Sequence, residues 1–222
     1  MQKLPKLNII YEDNHLLVVE KPSNIPVQED SSKDIDMLTL LKNYRKEKEN
    51  KPGEAFIGLV HRLDRPVSGI MVFAKTSKAA SRLSDQIRQN TFHKTYLAIV
   101  HGIPHTEGKF EDYLQKNEKE NKSYVTTKEK GKYSCLEYKV LKTKEDKSLV
   151  EINLITGRSH QIRVQFSSRN YPLVGDSKYG HNPNNIDISL FAKSITFNHP
   201  TTKEELTFTL DIPNKYPFNL FK

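Results

Sequence analysis

The chain has 222 residues, 36% of them hydrophobic, enough for a sizeable core, which excludes a wholly disordered protein. Lys and Arg number 35 against 27 Asp and Glu, and the net charge of +8 favours a polyanionic partner over an acidic small molecule. The single cysteine, Cys135, excludes an intrachain disulfide framework and a cysteine-based zinc site, and with no signal-like or membrane-length apolar run it points to a soluble, unexported, cytoplasmic protein without membrane association.

Residues 8–21 read as a strand, a turn at Asp13 and Asn14, and a second strand on Leu16 to Val19, an antiparallel entry into a sheet. In LTLLKNYRKEKENKPG, Leu38, Leu41 and Tyr44 recur at helical spacing, and the charge run before Pro52 and Gly53 reads as a solvated helix end. GIMVFAK, residues 69–75, predicts a buried strand followed by a helix that Ser77 caps, with Ala80, Leu83 and Ile87 on one face and Arg82 and Arg88 off it. KTYLAIVHG, residues 94–102, is a further strand, ended by Gly102 and Pro104. Residues 105–132 are rich in Lys and Glu without periodicity and read as a long, mobile connection with at most short strands. Strand patterns at 133–141 and 148–155 predict a hairpin, and Thr156 with Gly157 turns the chain into a helix over about 159–169 with Ile162 and Phe166 inward. Strands near 190–197 and 204–210 close the chain. No internal repeat and no Gly-rich phosphate loop is visible. The pattern predicts an α+β fold, a single bipartite domain over 1–222 with a long, mostly antiparallel or mixed central sheet flanked by helices and loops.

The cations are unevenly distributed. Of eight Arg, seven fall in the windows 62–88 and 158–169, while Lys serves elsewhere. A guanidinium clasps a carboxylate or phosphate through two hydrogen bonds and stacks on a base, so the two windows are expected to meet at one anion-handling site. The first window contains HRLDRPVSG, in which Asp64 lies between Arg62 and Arg65 ahead of a buried strand. Alone, that pattern fits a structural ion pair at a strand mouth better than a catalytic carboxylate. His61 and His160 have no partner at metal-ligand spacing and read as structural or RNA-contacting groups, so no metal is expected.

HRLDRPVSG resembles the HRLDRxTSG motif of RluA-type pseudouridine synthases, with Asp64 at the position of the family's aspartate. YEDNHLLVVEKP resembles the family's opening segment, HKTYLAIVHG its tyrosine-bearing strand, ITGRSHQIRVQ with YPLVGDSKYG its third motif, and SITFNHPTTKEELTFT its closing strands, in family order from about residue 9 to 213. Val67, Asn24, Gln165 and Phe191 depart from residues common in the family. Many relatives carry an N-terminal RNA-binding domain, and the short segment before the first motif leads us to expect none here.

The resemblance implies isomerisation of uridine to pseudouridine in structured RNA, transfer or large-subunit ribosomal, at a cleft crossed by the loop that bears Asp64. Since no atom enters or leaves, no cofactor is implied, and no obligatory protein partner. It assigns the reaction to Asp64, either attacking the ribose carbon or removing a proton from its neighbour, with Arg163 pairing with Asp64 and Tyr96 against the flipped uracil. Ile162 and Val164 would wall the pocket. Arg62, Arg65, Lys94, Arg158 and His160 are the candidates for holding the distorted RNA. Two other classes are weighed beside it: a non-catalytic RNA-binding or ribosome-assembly factor on the same fold, which loss of Asp64, Tyr96 or Arg163 would favour, and a metal-dependent nuclease, which would need clustered carboxylates.

Overall fold

The computed structural model describes residues 7–50, 53–181 and 185–222. Its contacts fall into two units, one of residues up to Phe92 with Ile195–Leu210, the other of His93–Ser194 with Asp211–Lys222. The class is α+β, as the sequence predicts.

In the first unit, β1 (Asn8–Glu12) pairs antiparallel with β2 (Leu16–Lys21), and β2 with β4 (Ser68–Ala74), which also carries the short β3 (Gly58–Leu59). Leu16 to Val19 and Ile70 to Ala74 are sealed from solvent on both faces, which explains why these strands read as unbroken apolar runs rather than alternating ones. One face packs in a cluster with Ala79 and Leu83 of α2 (Ser77–Arg88), Phe92, Ile195 and Phe197. Thr76, not Ser77, caps α2, its side chain accepting from the Ala79 amide at 3.1 Å; the predicted start was one residue late. In α1 (Met37–Lys48) the buried residues include Arg45, which the sequence places on a solvated end. Its guanidinium pairs with Glu49 at 2.9 Å and donates to the carbonyls of Phe56 and Lys75, so the charge is buried because it is fully partnered. Of the predicted stop, Pro52 lies outside the described residues; the helix ends at a cap on Glu49.

The second unit is built on β5 (His93–His101), paired with β9 (Lys147–Leu154), then β8 (Lys132–Lys144), β6 (Glu107–Asn117) and β7 (Lys122–Thr126), antiparallel throughout. The long β6 and its partner β7 correct the expected connection over 105–132. Their periodicity is hidden because only Phe110 and Leu114 of β6 are buried, every other outward position being Lys, Glu or Gln, and the pairing comes from β8 rather than from local pattern. Phe110, Tyr138 and Phe166 meet with ring centroids 4.8 to 5.4 Å apart and seat α3 (Gln161–Ser167) on the sheet. That helix is shorter than predicted and buried on every side from Gln161 to Phe166. Strand β10 (Leu190–Asn198) is divided between the units, its end pairing with β11 (Glu205–Thr209) in the first.

Candidate active site

Asp64 sits in the loop joining β3 to β4, and the sequence around it explains why it stays put. Leu63 and Val67 on either side are buried, at 7% and 1% exposure, while Asp64 itself is half-buried. The Val67 amide donates to the Asp64 carbonyl at 3.0 Å, closing the turn, and the Val72 amide donates to His61 Nε2 at 3.1 Å, tying the start of the loop to β4. His61 therefore acts as a structural clip, packed on Phe92 at 5.5 Å between centroids.

The loop rests on a residue to which the sequence assigns no role. Lys21, the last of β2, has no exposed surface, and its ammonium donates to the carbonyls of Pro22 at 2.8 Å and Arg65 at 3.0 Å. Burial pushes its pKa down to about 7; attraction to Asp64 opposes that shift and the Arg65 charge adds to it. Its only sequence signal is the Lys-Pro pair that ends an apolar strand. Arg62 is exposed. Arg65, expected to hold phosphate, is occupied within the protein: Nη2 pairs with Asp34, Nη1 donates to Ser32 Oγ at 2.9 Å and Nε to the Asn24 carbonyl at 3.2 Å.

In the second unit Tyr96 is buried in β5 opposite Ile152 of β9. Arg163 is buried in α3, and its Nε and Nη2 reach the two oxygens of Asp176, each at 2.8 Å, a partner that the sequence does not announce. Ile162 and Val164 are buried beside it at 4% and 5% exposure. His160 adopts a left-handed φ of 54° immediately before the helix, with Nδ1 2.8 Å from the Tyr179 hydroxyl. The turn leading to it is cross-braced: the Gln161 carboxamide accepts from Thr156 Oγ1 at 2.7 Å and from the Arg158 amide at 3.0 Å, and donates to the Cys135 carbonyl at 3.0 Å. The lone, buried cysteine thus contributes its backbone to the brace. Lys94 lies beside this turn, its Nζ 3.3 Å from where a Cβ on Gly157 would stand, and burial lowers its pKa. Arg158 is exposed, with Nε anchored on the Tyr133 carbonyl at 2.9 Å. Lys94, Arg158 and His160 are thus gathered at the entrance to α3. Among the described residues no three His, Cys, Asp or Glu side chains gather as a metal would need, and no helix is long and apolar enough to cross a membrane.

Residues 15–168 match the family model described as RNA pseudouridylate synthase. The chain belongs to the RNA pseudouridylate synthase family. It is 35% identical over 212 residues to the ribosomal large subunit pseudouridine synthase C of Buchnera aphidicola subsp. Baizongia pistaciae (strain Bp), covering 90% of this chain and 65% of that protein. To the uncharacterized RNA pseudouridine synthase YlyB of Bacillus subtilis (strain 168) it is 34% identical over 212 residues, covering 93% and 69%. The chain therefore spans about two thirds of the length of these curated relatives. The solved structure of human RNA Pseudouridylate Synthase Domain Containing 4 shares the fold with a TM-score of 0.80, over 96% of this chain and 92% of that one, at 22% identity.

Within this member of the family the departures from the family pattern sit in local settings. Asn24 stands at φ 65°, where Gly and Asn are the residues best tolerated. Val67 is buried, at 1% exposure. Gln165 donates to Asp112 at 2.7 Å, and Phe191 packs edge-on to Phe218 at 6.3 Å.

Proposed function

We propose that the chain converts uridine to pseudouridine in structured RNA, an intramolecular transfer, with Asp64 as the group that acts on the ribose. The observation that carries this is the fixing of Asp64 between two buried anchors, over a sealed lysine, within the motif that aligns with the family. The bond from ribose to the ring nitrogen breaks, the uracil turns, and a ring carbon bonds to the same ribose carbon while its proton leaves for the nitrogen. The atoms balance without a co-reactant.

Asp64 starts the sequence by covalent attack or by taking the neighbouring ribose proton; both need an ionised carboxylate. Arg163 is assigned to hold that carboxylate oriented and charged, and Tyr96 to stack on the uracil and assist loss of the proton from the ring carbon. Lys94 and Arg158 are assigned to phosphates, His160 to an RNA contact, and Arg62 to the space that the flipped base vacates; RNA reaching Arg65 has to compete with Asp34. The names of the relatives favour large-subunit ribosomal RNA as substrate. Transfer RNA is the competing outcome. A cytoplasmic location follows from that substrate.

Asp64→Asn tests the assignment, because it keeps shape and removes charge and basicity. We expect a folded, RNA-binding protein that forms no pseudouridine in a single-turnover assay. Parent-like turnover would overturn the role of Asp64, and with it the mechanism.

A further inference from the structure

We propose that Asp176 is a positioning residue for the isomerisation: its carboxylate grips Nε and Nη2 of Arg163 and thereby fixes the direction in which the third guanidinium nitrogen points. The proposal rests on the reading that Arg163 serves the reaction at Asp64. Asp176 lies beyond the stretch that matches the family model, which ends at residue 168.

The geometry is that of a clamp. Side-chain exposure is 6% for Arg163 and 0% for Asp176, and the two nitrogen–oxygen distances are both 2.8 Å. A guanidinium held at one nitrogen still swings about that contact. Held at Nε and Nη2 together it has a fixed plane, and Nη1 a fixed direction. The carboxylate is itself immobilised, since Oδ1 also accepts from the amides of Lys178 at 2.9 Å and Tyr179 at 3.1 Å. Burial disfavours its charge, yet the hydrogen bond and charge of Arg163, with these amides, keep its pKa below the usual carboxylate range.

Tyr179 closes the clamp from the side. Its ring lies 5.2 Å from the Arg163 guanidinium, its hydroxyl accepts from the Ser123 amide at 2.6 Å and meets His160 Nδ1, and its carbonyl accepts from Ser167 Oγ at 2.6 Å. One residue, through its hydroxyl and its backbone carbonyl, thus joins β7, the entrance to α3 and the far end of the helix bearing Arg163. Gly175 places Asp176: it takes φ +79° where any Cβ would stand 2.3 Å from the Asp187 carbonyl oxygen. Desolvation offsets much of what a buried ion pair adds to stability. What two-point pairing adds beyond charge compensation is direction, and direction is what a group serving a reacting carboxylate needs.

The test compares parent, Asp176→Asn, Arg163→Ala, the double variant and Asp64→Asn. Melting temperature, RNA affinity and single-turnover pseudouridine formation are measured on unmodified transcripts of large-subunit ribosomal and transfer RNA, using whichever the parent modifies. In Asp176→Asn one half of the clamp becomes donor against donor. We expect a folded protein with parent-like RNA affinity and a rate reduced by roughly 10- to 100-fold. In the Arg163→Ala background the same substitution should change the rate by less than about twofold, because Asp176 acts through Arg163. A parent-like rate in Asp176→Asn, or an equal loss with and without Arg163, would overturn the proposal. Should Asp176→Asn fail to fold, Asp176→Glu keeps the charge and displaces the clamp by one methylene: the same rate loss supports positioning, and a parent-like rate refutes it. If Asp64→Asn turns over normally the reaction assignment falls separately. The clamp is then judged by NMR of the free enzyme, where the Arg163 Nε–H should exchange slowly in the parent and quickly in Asp176→Asn; equal exchange sinks it.

Discussion

Replacing Lys21 with methionine, which keeps the length of the side chain and removes the amine, should change how stability responds to pH. In the folded protein burial lowers the Lys21 pKa to about 7, despite the attraction of Asp64. In the unfolded chain the amine titrates near its ordinary value of about 10.4. Between those values the unfolded chain holds a proton that the folded protein lacks, so stability rises with pH through this window and is flat below it. The slope is half of about 1.4 kcal/mol per unit at the folded pKa and approaches that value above it, which makes the gain from pH 7 to 9 about 2 kcal/mol. For a chain of this size that corresponds to a melting shift of roughly 4–8 °C. Denaturant unfolding of the parent and Lys21→Met at pH 6, 7, 8 and 9 isolates the effect, since other titrating groups are common to both. The parent should gain on the variant only above pH 7. Parallel profiles would show that the ammonium beneath the Asp64 loop is solvated, and would remove the reasoning built on its burial.

Glu12 gives a slope of the same sign in acid. Burial raises its carboxyl, but hydrogen bonds from Lys48, Lys75 and Tyr44 hold the pKa down to about 2, so its contribution is present above the unfolded pKa and is lost as pH falls toward 2. Glu12→Gln should therefore be less stable than the parent at pH 5, with most of that difference gone by about pH 2.5 in urea titrations; a difference independent of pH would contradict the network. Gly175→Ala combines a left-handed backbone with a Cβ against the Asp187 carbonyl, and is expected to cost roughly 2–4 kcal/mol, read as a melting point lower by about 4–16 °C. An unchanged melting point would mean that the segment before Asp176 yields easily and cannot set its position.

What can be read from the sequence by itself is what depends on neighbours in the chain. Buried strands β2, β4 and β5 show as apolar runs, α2 by its spaced Ala80, Leu83 and Ile87, of which Leu83 is fully buried and the other two partly, and the β8–β9 hairpin by strand patterns on either side of a polar turn. Asp64, Tyr96 and Arg163 are singled out as candidates by the resemblance of ordered motifs to those of the family. The missed features depend on distance. Phe110 and Leu114 look unremarkable until β8 lies beside β6, and Arg65 and Arg45 look like surface cations until Asp34, Glu49 and the carbonyls around them are in place. Lys21 meets the Arg65 carbonyl across 44 residues, and Arg163 meets Asp176 across 13. Periodicity records which face of one element is apolar, whereas the partner and the solvation of a charge are set by where the chain returns, and only the tertiary structure decides that.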